Sequence, residues 1–227
     1  MITVDLRETG IRDLNGRLHR LGPETNETSW RITNPNGAHA VAVGLTLPIS
    51  VEIDGHVGYY CGGMNKAACI TVNGHAGQGV GENIMSGLIR VKGNASQSAA
   101  ASGHGGMVVI EGDASARCGI SMKGVDIVVG GSVGHMSAFM AQAGHLVVCG
   151  DAGPDLGDSL YEAVIYVRGR AASLGSDCVE KAMTRAHRET VASLLARAEI
   201  DADPADFRRY GSARRLYNFK IDNVASY

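Results

Sequence analysis

Ile70-Thr71-Val72-Asn73-Gly74-His75-Ala76-Gly77 is answered 19 positions later by Ile89-Arg90-Val91-Lys92-Gly93-Asn94-Ala95-Ser96. The same interval leads on to Val108-Val109-Ile110-Glu111-Gly112-Asp113-Ala114-Ser115. It links Gly55, Gly74, Gly93, Gly112, Gly131, Gly150 and Gly169 without slippage. A strict period of this length marks one structural turn, copied and stacked.

Counted from each glycine, the residue four before is aliphatic in every copy: Val51, Ile70, Ile89, Val108, Ile127, Leu146 and Ile165. So is the residue two before: Ile53, Val72, Val91, Ile110, Val129, Val148 and Val167. The residue just before the glycine is polar or mixed. This period of two predicts a strand with aliphatic residues inward. Small residues recur three past the glycine (Gly58, Gly77, Ser96, Ser115, Gly134, Gly153, Ala172) and seven past it (Gly62, Gly81, Ala100, Gly119, Ala138, Gly157, Ser176). Glycine suits a corner with positive φ or close approach to another backbone.

These columns predict an all-β core, a right-handed parallel β-helix of about seven 19-residue turns. The left-handed hexapeptide coil has a period of 18, which 19 breaks. At a strand spacing of ~4.8 Å, seven turns make a rod of roughly 30–35 Å. Lys92 and Glu111, and Asp151 and Arg170, share columns on adjacent turns. Each is expected to form a wall pair contributing ~0.2–1 kcal/mol.

The flanks divide the chain into an N-terminal cap (1–31), the β-helix (32–175) and a C-terminal helix with a tail (176–227). Thr3 to Arg7 reads as a short strand. Ile11, Leu14, Leu18 and Leu21 fall at helical spacing with Gly22 as the stop. Residues 32–48 read as a degenerate first turn, with Ile32 aligned to Val51 and Asn36 in the glycine column. Ser176 or Asp177 is expected to cap a helix with Glu180 in its first turn. Val179, Met183, Ala186, Val191, Leu194 and Leu195 form its apolar stripe. The two α-helical caps are expected to close the open ends, which would otherwise invite edge pairing. Pro204 suits a first helical position. The tail from Phe207 to Phe219 is rich in Arg and Tyr, the residues enriched at interface hot spots. It reads as a partner-binding tail or as a segment packed along the rod.

Glycine makes up 31 of 227 residues, about double the usual share, and the repeat consumes many of them. A net charge of −2 gives no electrostatic footprint for nucleic acid or an anionic membrane. No apolar run approaches the ~18 residues of a membrane span. The N-terminus lacks a basic start followed by an apolar run, so no signal peptide is expected. Five scattered cysteines, with Cys61 and Cys118 three turns apart, fit reduced thiols in a cytoplasmic protein.

Chemistry is sparse. His56 and His75 share a column on adjacent turns, with Asp54 two residues from His56. A metal centre needs three or four converging ligands, and the next turn offers Asn94. A solvated or interfacial histidine ladder is the stronger reading. His104, His135 and His145 fall in three different columns. Gly74-His75-Ala76-Gly77-Gln78-Gly79 approaches a dinucleotide fingerprint, but no helix follows it, so the glycines read as corners. The carboxylates Asp54, Glu82, Glu111, Asp113 and Asp126 do not gather as a glycosidase pair would.

The G-x-x-G-x-x-x-G turns resemble the C-terminal β-helix domain of the glutamate synthase large subunit, and the related β-helix component of formylmethanofuran dehydrogenase. The likeness extends over nearly the whole chain. It is carried by Gly55–Cys61, Glu82–Gly87, Arg117–Gly124, Gly134–Met140, Leu156–Ala163 and the Arg208–Asn223 tail. Within that family the chain is most similar to the β-helix subunits of N-methylglutamate synthase, a methylamine–glutamate N-methyltransferase. The resemblance implies a non-catalytic scaffold. Its expected partners are an amidotransferase-like subunit with an N-terminal cysteine nucleophile and a synthase-like subunit with FMN and an iron–sulfur cluster. Met1 is followed here by Ile2 rather than Cys, so this chain is not the amidotransferase. The resemblance assigns no catalytic, cofactor-binding or metal residue to any position. The alternatives are a subunit of another glutamate-synthase-like or formylmethanofuran dehydrogenase-like complex, and a metal-dependent β-helix enzyme working from His56 and His75.

Overall fold

A computed structural model describes residues 1–215. Eleven strands form one sheet whose order follows the chain from the first strand to the ninth and ends with the eleventh and tenth. The strands of the repeat are β3 (Ser50–Asp54), β4 (Cys69–Val72), β5 (Leu88–Val91), β6 (Met107–Ile110), β7 (Lys123–Val129), β8 (Ala143–Val148) and β9 (Val164–Val167). All pair in parallel. Val72 pairs with Val91 and Val91 with Ile110, as the 19-residue period requires. A second line of bridges runs from Val57 through Ala76, Ala95, Ala114, Val133 and Ala152 to Ala171. The chain is thus a parallel β-solenoid, and the aliphatic columns four and two before each glycine form its fully buried core.

The repeating glycines have two different causes. Gly62, Gly81, Gly119 and Gly157 lie at φ between 65° and 70°, and Ala100 and Ala138 adopt the same left-handed corner at 56°. The glycines from Gly74 to Gly169 that set the register do not lie at positive φ. Close approach dictates those: a Cβ on Gly131 would overlap Asp113 Oδ1 and stand 2.9 Å from the Gly112 carbonyl oxygen.

The N-terminal residues add to the sheet. β1 (Ile2–Asp5) pairs in parallel with β2 (Ser29–Thr33), and β2 with β3. The expected boundary at residue 32 therefore falls inside a strand. The expected alignment also shifts: Ile32 pairs with Ile53, and Trp30 takes the place opposite Val51. Extra residues in the Asn34–Gly37 corner absorb the difference, with Asn34 and Asn36 at φ 54° and 46°. By Ala38, whose carbonyl accepts the Gly58 N–H, the 19-residue spacing is restored. Helix α1 (Ile11–His19) buries Leu14 and Leu18 in the main core. Asn15 donates to the Ala40 carbonyl at 2.8 Å, and His19 Nε2 to that of Val43 at 2.7 Å.

The C-terminal flank differs from expectation. Val179 belongs to strand β10 (Cys178–Lys181) and is 37 % exposed, so it is not part of a helical stripe. Helix α2 spans Arg185–Ala198, with the Thr184 hydroxyl accepting the His187 N–H. It does not seal the rod's end. Val191, Leu194, Leu195 and Ala198 pack on a second apolar cluster formed by Met107, Val109, Val128, Val147, Cys149 and Tyr166. That cluster lies on the outer face of the sheet. The column three before each glycine changes from Glu52, Thr71 and Arg90 to Val109, Val128, Val147 and Tyr166, and the helix covers the apolar half. The sheet instead ends with β11 (Arg208–Ser212) inserted between β9 and β10 and antiparallel to both, so β10 is the edge strand. Tyr210 and Cys178 complete the main core there. The first half of the expected partner-binding tail is therefore a packed strand. Leu216 to Phe219 lie outside the described residues.

Of the two expected wall pairs, one changes partner and the other keeps its residues but is made through the backbone. Glu111 pairs with Arg90 (3.1 Å), not Lys92, and the Asp151 carboxylate accepts the backbone N–H of Arg170 (2.7 Å).

Candidate functional site

The column one past each register glycine holds His56, His75, Asn94, Asp113, Ser132, Asp151 and Arg170. At this corner the backbone carbonyl accepts from the preceding turn, as when Ala95 N–H donates to the Asp113 oxygen, but the N–H has no backbone partner. A side chain from the turn before supplies one. His56 Nδ1 accepts from His75 N–H (2.9 Å), His75 Nδ1 from Asn94 (2.8 Å) and Asn94 Oδ1 from Asp113 (3.0 Å). Asp113 Oδ1 accepts from Ser132 (2.7 Å) and Ser132 Oγ from Asp151 (3.0 Å), and the bond from Arg170 N–H to Asp151 continues the series. His, Asn, Asp and Ser share an acceptor within two bonds of Cβ, and each gives the corner N–H of the next turn the partner that the backbone does not supply. The position therefore selects for a short acceptor rather than for histidine.

This geometry answers the histidine-wall reading. The rings of His56 and His75 stack at 4.8 Å between centroids and 15° between planes. Each uses Nδ1 as an acceptor, which leaves the proton on Nε2. Near-parallel rings aim their Nε2 atoms along parallel lines rather than at one ion. Asp54 accepts from Asn73 Nδ2 (2.9 Å) and Arg31 Nε (2.6 Å), which hold its carboxyl below the ordinary range. Among the described residues no group of three or more His, Cys, Asp or Glu is placed to hold a metal. Burial pushes the thiols of Cys61 and Cys118 up to about 12, so neither is a nucleophile at neutral pH.

A second polar cluster was missed by reading the sequence. It lies where α2 crosses the sheet. Asp126 on β7 and His145 on β8 are 19 residues apart, in the column five before the glycine. His145 Nδ1 lies 2.9 Å from Asp126 Oδ1, and Arg197 of α2 donates to Oδ2 at 2.9 Å. Burial raises the Asp126 pKa, but the bonds from His145 and Arg197 outweigh it and hold the carboxyl below its ordinary value. On β9 the Tyr166 hydroxyl meets His187 Nδ1 of α2 at 3.0 Å, and Arg209 of β11 donates to His187 Nε2 at 2.6 Å. Arginine has no acceptor, so Nε2 is unprotonated and Nδ1 carries the hydrogen. At the other end of the helix, Arg90 on β5 donates to the Ala198 carbonyl at 3.0 Å. Four strand spacings separate β9 from β5, ~19 Å, and the helix rises ~17 Å from His187 to Ala198. The helix thus crosses the strands from β9 to β5, with the long Arg90 side chain making up the difference. The signal was present in the column, since Asp126 and His145 pair an acid with a base at the repeat interval on the outer face.

The chain is 55 % identical over 228 residues to Protein GlxC of Rhizobium meliloti (strain 1021), and the alignment spans the whole of both chains. The chain belongs to the GlxC family. No protein-family model matches it. No solved structure matches it either. No helix among the described residues is long and apolar enough to cross a membrane.

Proposed function

We propose that this GlxC-family chain is the non-catalytic scaffold subunit of a glutamate-synthase-like complex. In the finer form of this reading the complex is an N-methylglutamate synthase, making N-methylglutamate from glutamate and methylamine. The chain bridges an amidotransferase-like subunit and a synthase-like subunit that holds FMN and an iron–sulfur cluster. The observation that supports this reading is the polar ladder. The side chains that could have made a reactive wall, from His56 to Asp151, are consumed in joining each turn to the next. A rod bonded through both its strands and its corners is stiff. Stiffness is what holding two active sites at a set distance demands.

The test is co-expression with the two partners followed by a length variant. The three chains should purify as one assembly. Duplicating one 19-residue turn should move the two partners ~4.8 Å apart along the rod and lower transfer between them while leaving each partner's own half-reaction intact. A rod that purifies alone beside both partners, or a complex indifferent to the extra turn, would refute the spacer role.

A further inference from the structure

We propose that α2 is an acid-released latch, held on the sheet by His187 only while that ring is neutral. The geometry leaves no room for a second ring proton. His187 Nε2 already accepts from Arg209 at 2.6 Å, and its Nδ1–H is directed at the Tyr166 hydroxyl at 3.0 Å. A proton on Nε2 would face the guanidinium across that short distance, with two donors and no acceptor between them. Ring or guanidinium must then leave; the Arg209 backbone is paired on both sides, with Tyr166 of β9 and Lys181 of β10, and its guanidinium starts from a site in which Nε is buried without a partner. The ring sits on a helix whose apolar contacts come from one face alone.

The other charged and titratable groups facing this junction do not rescue the protonated ring. Tyr166 on β9 is neutral, and burial raises its pKa further. His145 on β8 stacks 6.2 Å from the Tyr166 ring and adds positive charge when protonated. Asp126 on β7 is the carboxylate of the network, but His145 and Arg197 already occupy its two oxygens. On α2 itself Glu189 pairs with Arg185. Burial, then Arg209, then His145 all push the His187 ring below the ordinary histidine value of 6.5. A depressed histidine value means docking is complete above about pH 6.5 and weakens as pH falls through the lowered value. Release would uncover Met107, Val109, Val128 and Val147, an apolar strip on adjacent strands.

Hydrogen–deuterium exchange of the full chain between about pH 8 and pH 5, expressed as protection factors, tests this. Protection across Arg185–Ala198 should fall as pH is lowered, by up to about tenfold for each pH unit of lowering in the His187 value, while β3 to β5 keep theirs. His187→Gln, which can accept from Arg209 without titrating, should make α2 protection independent of pH. His145→Gln should keep most of the wild-type response, since His145 is the smallest of the three influences on the His187 ring. If His187→Gln undocks the helix at all pH values, Arg209→Gln is the second arm: it removes the opposing charge, so the acid response should shrink. The proposal is overturned if wild-type α2 keeps its protection at pH 5, if helix and core lose protection together, if His145→Gln abolishes the response, or if Arg209→Gln leaves it unchanged.

Discussion

Replacing Gly131 by alanine tests whether the register glycines serve close approach. Gly131 is not at positive φ, so the backbone angle alone allows alanine. The new Cβ would overlap Asp113 Oδ1 and stand 2.9 Å and 3.0 Å from the oxygen and carbon of the Gly112 carbonyl. The carboxylate would have to leave, and with it the 2.7 Å bond that satisfies the Ser132 N–H. A bond to a charged acceptor contributes about 1.5–3 kcal/mol and overpacking costs about 1–3 kcal/mol, so Gly131→Ala should destabilise by about 3–5 kcal/mol. In a chain of this size that lowers Tm by roughly 6–20 °C, read by far-UV circular dichroism and checked by urea unfolding. Gly22, with nothing within 4 Å of an added Cβ, is the control and should change by less than about 0.5 kcal/mol. Adding Asp113→Ala to Gly131→Ala should cost at least about 1 kcal/mol less than the sum of the two single changes, because one substitution already removes what the other would lose. A Gly131→Ala variant as stable as wild type, or strict additivity in the pair, would refute the argument.

Other consequences are equally direct. Asn94→Leu strips the acceptor from the Asp113 N–H and should cost about 1–2 kcal/mol, whereas Asn94→Ser or Asn94→Asp should cost well under half of that in the same urea titration. Arg90→Ala removes the bond to the Ala198 carbonyl and the pairs with Glu111 and Glu199, so exchange should rise in the last turn of α2 without change in β3 or β4. Asp126→Asn should lower stability at neutral pH and flatten the acid limb. The lowered carboxyl value contributes stability present above about pH 3.9 and lost as pH falls through the folded value. A thiol reagent applied to the native chain should modify exposed Cys69 first and reach Cys61 and Cys118 only on unfolding, as intact mass would show.

The rod was legible because each turn repeats the same local solution. Aliphatic residues four and two before the glycine, a 19-residue interval and small corner residues specify which atoms stack on which. A one-residue slip would turn every inward side chain outward. The ladder was half legible: the shared column of His56 and His75 stands in the sequence, but not the reason for it. That reason is a backbone N–H orphaned at the corner, visible only once the turns are stacked. Asp126 and His145, and the apolar run Val109, Val128, Val147 and Tyr166, also lie at the repeat interval. They belong to outer columns whose meaning depends on what covers them.

The flanks show where one-dimensional reading ends. Val179 fits a helical stripe as well as it fits a strand, since a short apolar run satisfies both periods. The antiparallel pairing that decides for a strand joins Val179 to Gly211, far along the chain. Likewise the amphipathic face of α2 announces that the helix will be buried against something, but not whether against the end of the rod or its side. By itself, the amino-acid order determined the stacked coil, its period and its core, because those contacts recur at one constant separation along the chain. The placing of α2, the strand pair that finishes the sheet and the cluster of Asp126, His145, Tyr166, His187 and Arg209 were decided only in three dimensions. Each of those contacts is made once, between segments that carry no shared repeat.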